Sequence, residues 1–134
     1  MKRRTIFFWL AIFSVGAWLI LNPIGYFGLH SFGFTVYNAL PLPVVDVQIR
    51  ADGAMRTVSK THDLALENVR WLLVDNPTNL IVSTGWQNVL KPRRELAEVS
   101  TTAVEFLTTD KAIRRFNELK NAGERVAIHV HSTC

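Results

Sequence analysis

The feature that most constrains this chain is an uncharged stretch near its amino terminus. Asp, Glu, Lys and Arg are all absent from residue 5 to residue 45. Within it, Thr5 to Leu21 is apolar all round, interrupted in character only by Ser14 and Gly16. A run of roughly 17 apolar residues is long enough for a short transmembrane helix and lacks the polar face of a surface helix. We therefore predict that residues 1–22 form a basic start and one membrane-spanning helix, with the lipid bilayer as a partner.

The charges in front of this helix predict its orientation. Lys2, Arg3 and Arg4 precede the apolar run. Basic residues of this kind stay on the cytoplasmic side, so we expect a cytoplasmic amino terminus and the remainder of the chain on the far side. No small-x-small cleavage pattern follows the apolar core, so we expect the helix to be retained rather than removed as a signal peptide.

Residues 23–43 are harder to assign, because they are uncharged and aromatic yet contain residues that disfavour a long helix. These residues are Gly25, Gly28, Gly33, Pro41 and Pro43. We predict an apolar linker lying along the membrane surface. The alternative is a second, poor span from about Ile24 to Leu40, which would return the following domain to the cytoplasm.

The net charge of +4 is misleading as a guide to partners. Lys2, Arg3 and Arg4 supply three of the 15 basic residues, which leaves 12 against 11 acidic residues in the remainder of the chain. Phosphate binding requires a clustered basic face rather than a basic tail, so we predict no nucleic-acid partner. The single cysteine, Cys134, allows no internal disulfide.

Residues 44–134 show the alternation of strands and helices that is typical of an α/β domain. Asp52-Gly53, between Val44–Arg50 and Met55–Ser59, predicts a β-hairpin. The later patterns predict a helix after Thr61, a buried strand over Leu80–Ser83 and a short helix from Pro92 to Ala97. They then predict a strand over Thr102–Leu107, a helix capped by Thr109 and closed by Gly123, and a last strand over Arg125–His131. The predicted fold is a small layered α/β domain with a mixed β-sheet flanked by helices.

The loop after the buried strand is the best candidate for a site. Ser83, Thr84 and Gly85 end the strand, and Trp86 and Gln87 follow. Ligands and partners of α/β sheets bind at the carboxyl ends of the strands, so we predict that the contact surface is the loop from Thr84 to Arg94.

With these elements placed, the segment from about Asp46 to Cys134 resembles the Mth-type domain family. Four pieces carry the resemblance: Asp46–Ile49 with Asp52-Gly53, Leu80–Gly85 with Lys91-Pro92, Thr109 and Ala112 with Phe116–Leu119, and Arg125–Ala127 with the closing His131–Cys134. The family is a small α/β fold seen in an archaeal hypothetical protein, in the adipogenesis-associated protein and in a mitochondrial complex I assembly factor. Ser83 departs from the family, which commonly has Gly there, and the apolar amino-terminal third lies outside the domain pattern, in the position of the family's opening strand.

The resemblance implies an assembly or accessory factor for a membrane complex, possibly a respiratory one, rather than a catalyst, and that inference is analogy. We predict a membrane-tethered protein-interaction module whose partners are protein subunits of the complex. Its candidate interaction residues are Thr84, Gly85, Trp86, Gln87, Lys91, Arg93, Arg94, Asn117 and His131. Trp86 is either a partner anchor or a residue folded over the edge of the core, and Arg93 and Arg94 either face an acidic partner or are solvated.

The rival hypothesis is a small-ligand binder or enzyme with a pocket lined by Thr84, Gln87, Asn117 and His131. We expect Asn117 and His131 to make hydrogen bonds to the Thr84 loop. His129, His131 and Cys134 have ligand chemistry, but the chain has no CxxC and no second histidine cluster, so we predict neither a metal site nor a cofactor. No Ser, His and Asp arrangement indicates nucleophilic catalysis, and we predict no catalytic residues.

Overall fold

A computed structural model describes residues 2–99 and 101–134. The helices are α1 (Arg3–Leu21), α2 (Leu66–Leu73) and α3 (Thr109–Asn121), with a 3₁₀ helix at Arg94–Glu98. The strands are β1 (Phe27–Ser31), β2 (Phe34–Tyr37), β3 (Leu40–Pro43), β4 (Asp46–Ile49), β5 (Met55–Val58), β6 (Asp63–Leu64), β7 (Asn79–Ser83), β8 (Lys91–Pro92), β9 (Ala103–Leu107) and β10 (Val126–Val130). The chain is α/β, as predicted, with an apolar helix in front of a mixed sheet.

The central sheet has five strands in the order β5-β4-β10-β7-β9. β4 pairs antiparallel with both β5 and β10, whereas β7 lies parallel to both β10 and β9. The predicted hairpin is therefore confirmed. The carboxyl ends of three parallel strands meet at one edge of the sheet, which we call the carboxyl edge; it is formed by the residues that follow Ser83, Leu107 and Val130.

The two faces of the central sheet carry separate cores, because side chains alternate along each strand. One core packs α3 and the first three strands onto Val47, Ile81 and Ile128. The other core packs α2, together with Leu64, Leu90 and Leu96, onto Leu80, Val82 and Ala127 of the opposite face. The apolar run in β7 is buried on both faces of the sheet, as its uninterrupted hydrophobicity predicted.

α1 is long and apolar enough to cross a membrane, and its side chains lie almost entirely outside the folded domain. It joins the domain directly at Asn22, whose side chain is fully buried. The Asn22 amide donates to the Trp18 carbonyl at 3.1 Å and accepts from the Leu29 backbone N–H at 2.9 Å. Trp18 Nε1 donates to the Ala39 carbonyl at 3.0 Å. These contacts attach the end of the helix to the domain without a flexible linker.

Residues 23–43 form neither a linker nor a second span, so both predictions for this segment were wrong. β1, β2 and β3 make an antiparallel sheet that we call the small sheet. Phe27 and Tyr37 of this sheet pack edgewise on Phe116 of α3, with ring centroids 5.3 and 6.1 Å away. One face of the segment is part of the domain core. Gly25 and Gly33 occupy turns with positive φ, whereas Gly28 lies within β1.

Three local boundaries also differ from the predictions. The helix expected after Thr61 begins only at Leu66, because residues 63–64 form the short strand β6, which pairs with β8. Pro92 accordingly lies in β8 rather than in a helix, and a 3₁₀ helix follows it. Thr109 begins α3 but makes no cap, since its hydroxyl bonds across the sheet to the His131 carbonyl.

Asn117 fastens the small sheet to α3. Its side-chain oxygen accepts from the Phe27 N–H at 2.9 Å, and its side-chain nitrogen donates to the Phe27 carbonyl at 2.8 Å. The prediction that Asn117 bonds to the Thr84 loop was therefore wrong. The amide replaces a missing strand partner for one residue of β1, which explains a polar residue beside the buried face of the helix.

Asn117→Ala tests this clamp. The substitution leaves a buried N–H and carbonyl of Phe27 without partners, so we expect the free energy of unfolding of the full chain in detergent to fall by about 1–3 kcal/mol. Chemical denaturation would measure it. Asn121→Ala, at the exposed end of the same helix, is the matched control and should be neutral or slightly stabilising. Equal stability of the two variants would contradict the clamp.

Candidate functional site

The carboxyl edge is held together by a buried chain of hydroxyl and backbone groups. The Thr109 hydroxyl donates to the His131 carbonyl at 2.7 Å, and the Ser83 hydroxyl lies 2.8 Å from the Thr109 oxygen. The His131 N–H donates to the Ser83 hydroxyl at 3.2 Å. Ser83 therefore links the end of β7 to the start of α3 and the end of β10.

Gly85 lets the loop after β7 lie directly on the carboxyl-terminal residues. Its φ is +91°, and a Cβ atom there would lie 2.9 Å from the Cys134 carbonyl oxygen and 3.0 Å from His131 Cδ2. The next residues complete the contact, because the Gln87 N–H donates to the Cys134 carbonyl at 2.6 Å. A side chain at Gly85 would be strained in φ and would collide with backbone.

Asp46 is the buried charge of the site. At the start of β4 its side chain is fully buried, and it accepts hydrogen bonds from His131 Nδ1 at 2.7 Å, from Lys60 Nζ at 2.7 Å and from the Ser132 N–H at 3.0 Å. Burial acts to raise the pKa of Asp46, but these three donors outweigh it and hold the pKa well below its ordinary value. The carboxylate is therefore ionised, and an ionised carboxylate can only accept.

This geometry fixes the proton of His131. Because Asp46 accepts, Nδ1 carries the hydrogen, and in the neutral imidazole Nε2 then carries a lone pair. Among the residues that the structure describes, His131 Nε2 has no hydrogen-bond partner although it is fully buried. The His62 ring lies 5.2 Å away, perpendicular to it, and ligand atoms of His62, His131 and Cys134 lie within 4.8 Å of one another.

A second polar pair lies beside the first on the same face of the sheet. Gln48 Nε2 donates to His129 Nδ1 at 3.1 Å and to the Asn68 carbonyl at 2.7 Å, while its oxygen accepts from Arg56 at 2.8 Å. Burial lowers the pKa of His129 from its usual 6.5 to about 4, so the imidazole is neutral at neutral pH. Gln48, Arg56 and His129 help to line a cavity of about 320 Å³ beneath α2.

The predicted interaction residues divide into internal and exposed groups. Thr84 is buried, and its hydroxyl donates to the Leu107 carbonyl. Trp86 is half-buried, and its Nε1 donates to the Ser132 carbonyl at 3.0 Å. Arg93 forms an ion pair with Asp63 at 2.8 Å. Trp86 is thus folded over the edge of the domain. The side chains of Gln87, Lys91 and Arg94 are exposed, and that of Arg93 is exposed as well although it pairs with Asp63.

The four-residue pocket of the rival hypothesis is not assembled in this form. His131 packs against Gly85, but its ring bonds to Asp46 and not to the Thr84 loop as predicted. Asn117 bonds to Phe27 and lines a surface depression with Pro23 and Tyr26. The side chains of His131 and Asn117 therefore bond to different parts of the chain, Asp46 and Phe27.

Three residues of the carboxyl edge were missed in the sequence. Asp46 was predicted only as part of the first hairpin, and no role was predicted for Lys60 or His62. One signal was present for Asp46, since an acidic residue inside the run Val44 to Ile49 requires a buried partner if that strand is central. His62 carried no such signal, because its proximity to His131 depends on the tertiary fold.

Comparisons with known proteins identify the fold but no activity. No protein-family model and no curated protein matches the chain. A solved protein designated MT938 is 27% identical with a TM-score of 0.68, and it matches over 81% of this chain and 98% of its own. The conserved hypothetical protein PH1505 from Pyrococcus horikoshii is 21% identical with a TM-score of 0.70, over 81% and 98% of the two chains. An outer membrane protein from Bartonella henselae is 17% identical with a TM-score of 0.70, over 83% and 97%.

The extent of these matches bears on where the domain begins. A match over 81% of 134 residues covers about 109 of them, which is more than the 91 residues from Val44 to Cys134. The shared fold must therefore include part of the chain before Val44. This agrees with the small sheet being part of the domain.

Gly85→Ala tests the close approach of the loop to the carboxyl-terminal residues. We expect it to lower the free energy of unfolding by more than the roughly 1–3 kcal/mol of backbone strain alone, because the new methyl group meets backbone atoms. Gly53→Ala is the matched control, since Gly53 has the same φ of +91° in open space. Thermal and chemical denaturation of both variants would measure the difference, and equal losses would show that the contact contributes nothing.

Proposed function

We propose that this chain is a membrane-tethered protein-interaction module that acts as an assembly or accessory factor for a membrane complex. The observation that carries the proposal is the junction at Asn22. The fully buried Asn22 side chain bonds both to α1 and to β1, so the apolar helix is attached to the domain without a flexible linker. Because this attachment fixes the orientation of the domain relative to α1, the same surface of the domain always faces its neighbours in the membrane.

Tethering also favours weak contacts. Confinement next to the bilayer raises the effective concentration of a partner, so a domain of modest intrinsic affinity can still be occupied. The surface that we assign to partner contact is the exposed part of the Thr84–Arg94 loop, which offers Gln87, Lys91 and Arg94 to solvent. Lys91 and Arg94 are two exposed cations on one loop, and they suit an acidic partner surface, where rim charges accelerate association.

The sequence resemblance to the Mth-type family supports the same function by analogy. The best understood members of that family act as assembly factors for a respiratory membrane complex. The closing His131–Cys134 motif and the turn at Gly85 are the parts of the resemblance that meet at the carboxyl edge. The proposed topology places this domain on the side of the membrane opposite the basic amino terminus.

Labelling of single cysteines tests the topology. In a chain carrying Cys134→Ser and Thr57→Cys, a membrane-impermeant maleimide should label intact bacterial spheroplasts, because Thr57 is exposed on β5. Lys2→Cys in the same Cys134→Ser background is the control and should react only after lysis. Labelling of Lys2→Cys without lysis, or protection of Thr57→Cys, would reverse the proposed orientation.

The loop surface is tested by co-purification from mild detergent. We expect the double variant Lys91→Ala, Arg94→Ala to recover several-fold less of the membrane proteins that accompany the wild-type chain, because two rim cations are lost. The double variant Arg70→Ala, Lys111→Ala removes the same charge from exposed positions on α2 and α3 and should behave as wild type. Undiminished recovery with the loop variant would rule out this surface.

A further inference from the structure

We propose that His62, His131 and Cys134 bind a Zn²⁺ ion at the carboxyl edge, with Asp46 as the residue that positions His131. The site does not depend on the proposed interaction function. It requires that the ligand types, their spacing and the state of the buried imidazole all suit the ion.

The ligand atoms are nearly in place. In a tetrahedral zinc site with metal–ligand bonds of about 2.0–2.3 Å, neighbouring ligand atoms are about 3.3–3.8 Å apart. The three ligand atoms here lie within 4.8 Å of one another, so the largest adjustment needed is about 1–1.5 Å. His62 is exposed and Cys134 is half-buried, so both side chains have room to move toward the fixed ring of His131.

The strongest observation is the unpartnered nitrogen of His131. A fully buried imidazole nitrogen without a hydrogen-bond partner in the described part of the chain is unfavourable, since burial removes it from water. Its other nitrogen donates to the Asp46 carboxylate at 2.7 Å, which fixes the orientation of the ring and, in the neutral imidazole, leaves the lone pair on Nε2. A carboxylate behind a ligating histidine is the usual outer shell of protein zinc sites.

The chemistry of the three ligands selects the class of ion. Two imidazoles and one thiolate suit Zn²⁺ and related borderline-soft ions, whereas Mg²⁺ and Ca²⁺ prefer oxygen ligands. Asp46 is not available as a fourth ligand, because its oxygens already accept from Lys60, His131 and Ser132. Three protein ligands leave the fourth position of the ion to water.

Metal titration of the full chain in detergent tests the site, with any affinity tag at the amino terminus. Zn²⁺ should bind at one equivalent in competition with a chromophoric chelator, and Co²⁺ in its place should give the near-ultraviolet charge-transfer band of a cobalt–thiolate bond. Cys134→Ser should abolish that band, and His62→Ala should weaken Zn²⁺ affinity by at least about tenfold. Neither substitution removes a buried hydrogen bond.

His30→Ala is the matched control, because His30 is also a partly exposed histidine but pairs with Asp110 at 2.9 Å on α3. Its Zn²⁺ affinity should equal that of the wild type. The proposal is overturned by wild-type affinity in both His62→Ala and Cys134→Ser, by a Co²⁺ spectrum without the thiolate band, or by the absence of stoichiometric Zn²⁺ binding to the wild-type chain.

Discussion

The structure depends on satisfying one buried charge. Asp46 is fully buried between the central sheet and the loop after β5, and an isolated carboxylate in such a place would be strongly unfavourable. It is acceptable only because a side chain from Lys60, a ring N–H from His131 and a backbone N–H from Ser132 reach it together. Those donors come from two separate parts of the chain, the loop after β5 and the residues that follow β10. Once they converge, the direction of the residues after β10 is set, and Gly85 is required where the β7 loop crosses them.

The uncharged third of the chain contains two segments with different surroundings, the exposed helix α1 and the small sheet packed on the domain. α1 exposes its apolar side chains all round, whereas β1 and β2 turn Phe27 and Tyr37 inward onto Phe116 of α3. Asn22 lies at the boundary between α1 and the small sheet. Its amide bonds to the last turn of the helix and to β1, so the polar groups exposed where the helix ends are satisfied inside the protein. The same stretch therefore supplies a helix that is apolar enough to span a membrane and a layer of the domain core.

Periodicity and turn chemistry predicted much of the domain but could not predict the small sheet. The Asp52-Gly53 hairpin, the buried run of β7 and the face of α3 formed by Ala112, Ile113 and Phe116 each had a local signal. The small sheet did not, because without charged residues its two faces do not alternate in polarity. Its tight turn at Asn38 and Ala39, where φ is 54° and 61°, lacks the Gly that usually marks such a turn. At the carboxyl edge, the loop after β7 could be predicted from chain order, whereas His62 reaches His131 only through the tertiary fold.

The two histidines of the last strand show why residue type alone did not define the site. His129 and His131 lie on one face of the sheet, opposite Gln48 and Asp46 of β4. Arg56 can only donate, so Gln48 presents its oxygen to Arg56 and its nitrogen to His129. His129 Nδ1 therefore accepts, and the proton of its neutral ring lies on Nε2, which cannot then bind a metal. In a neutral His131 ring, the hydrogen bond to Asp46 imposes the opposite tautomer and leaves Nε2 with a lone pair. The chemistry of the site is thus determined by β4, one strand away from the histidines that carry it.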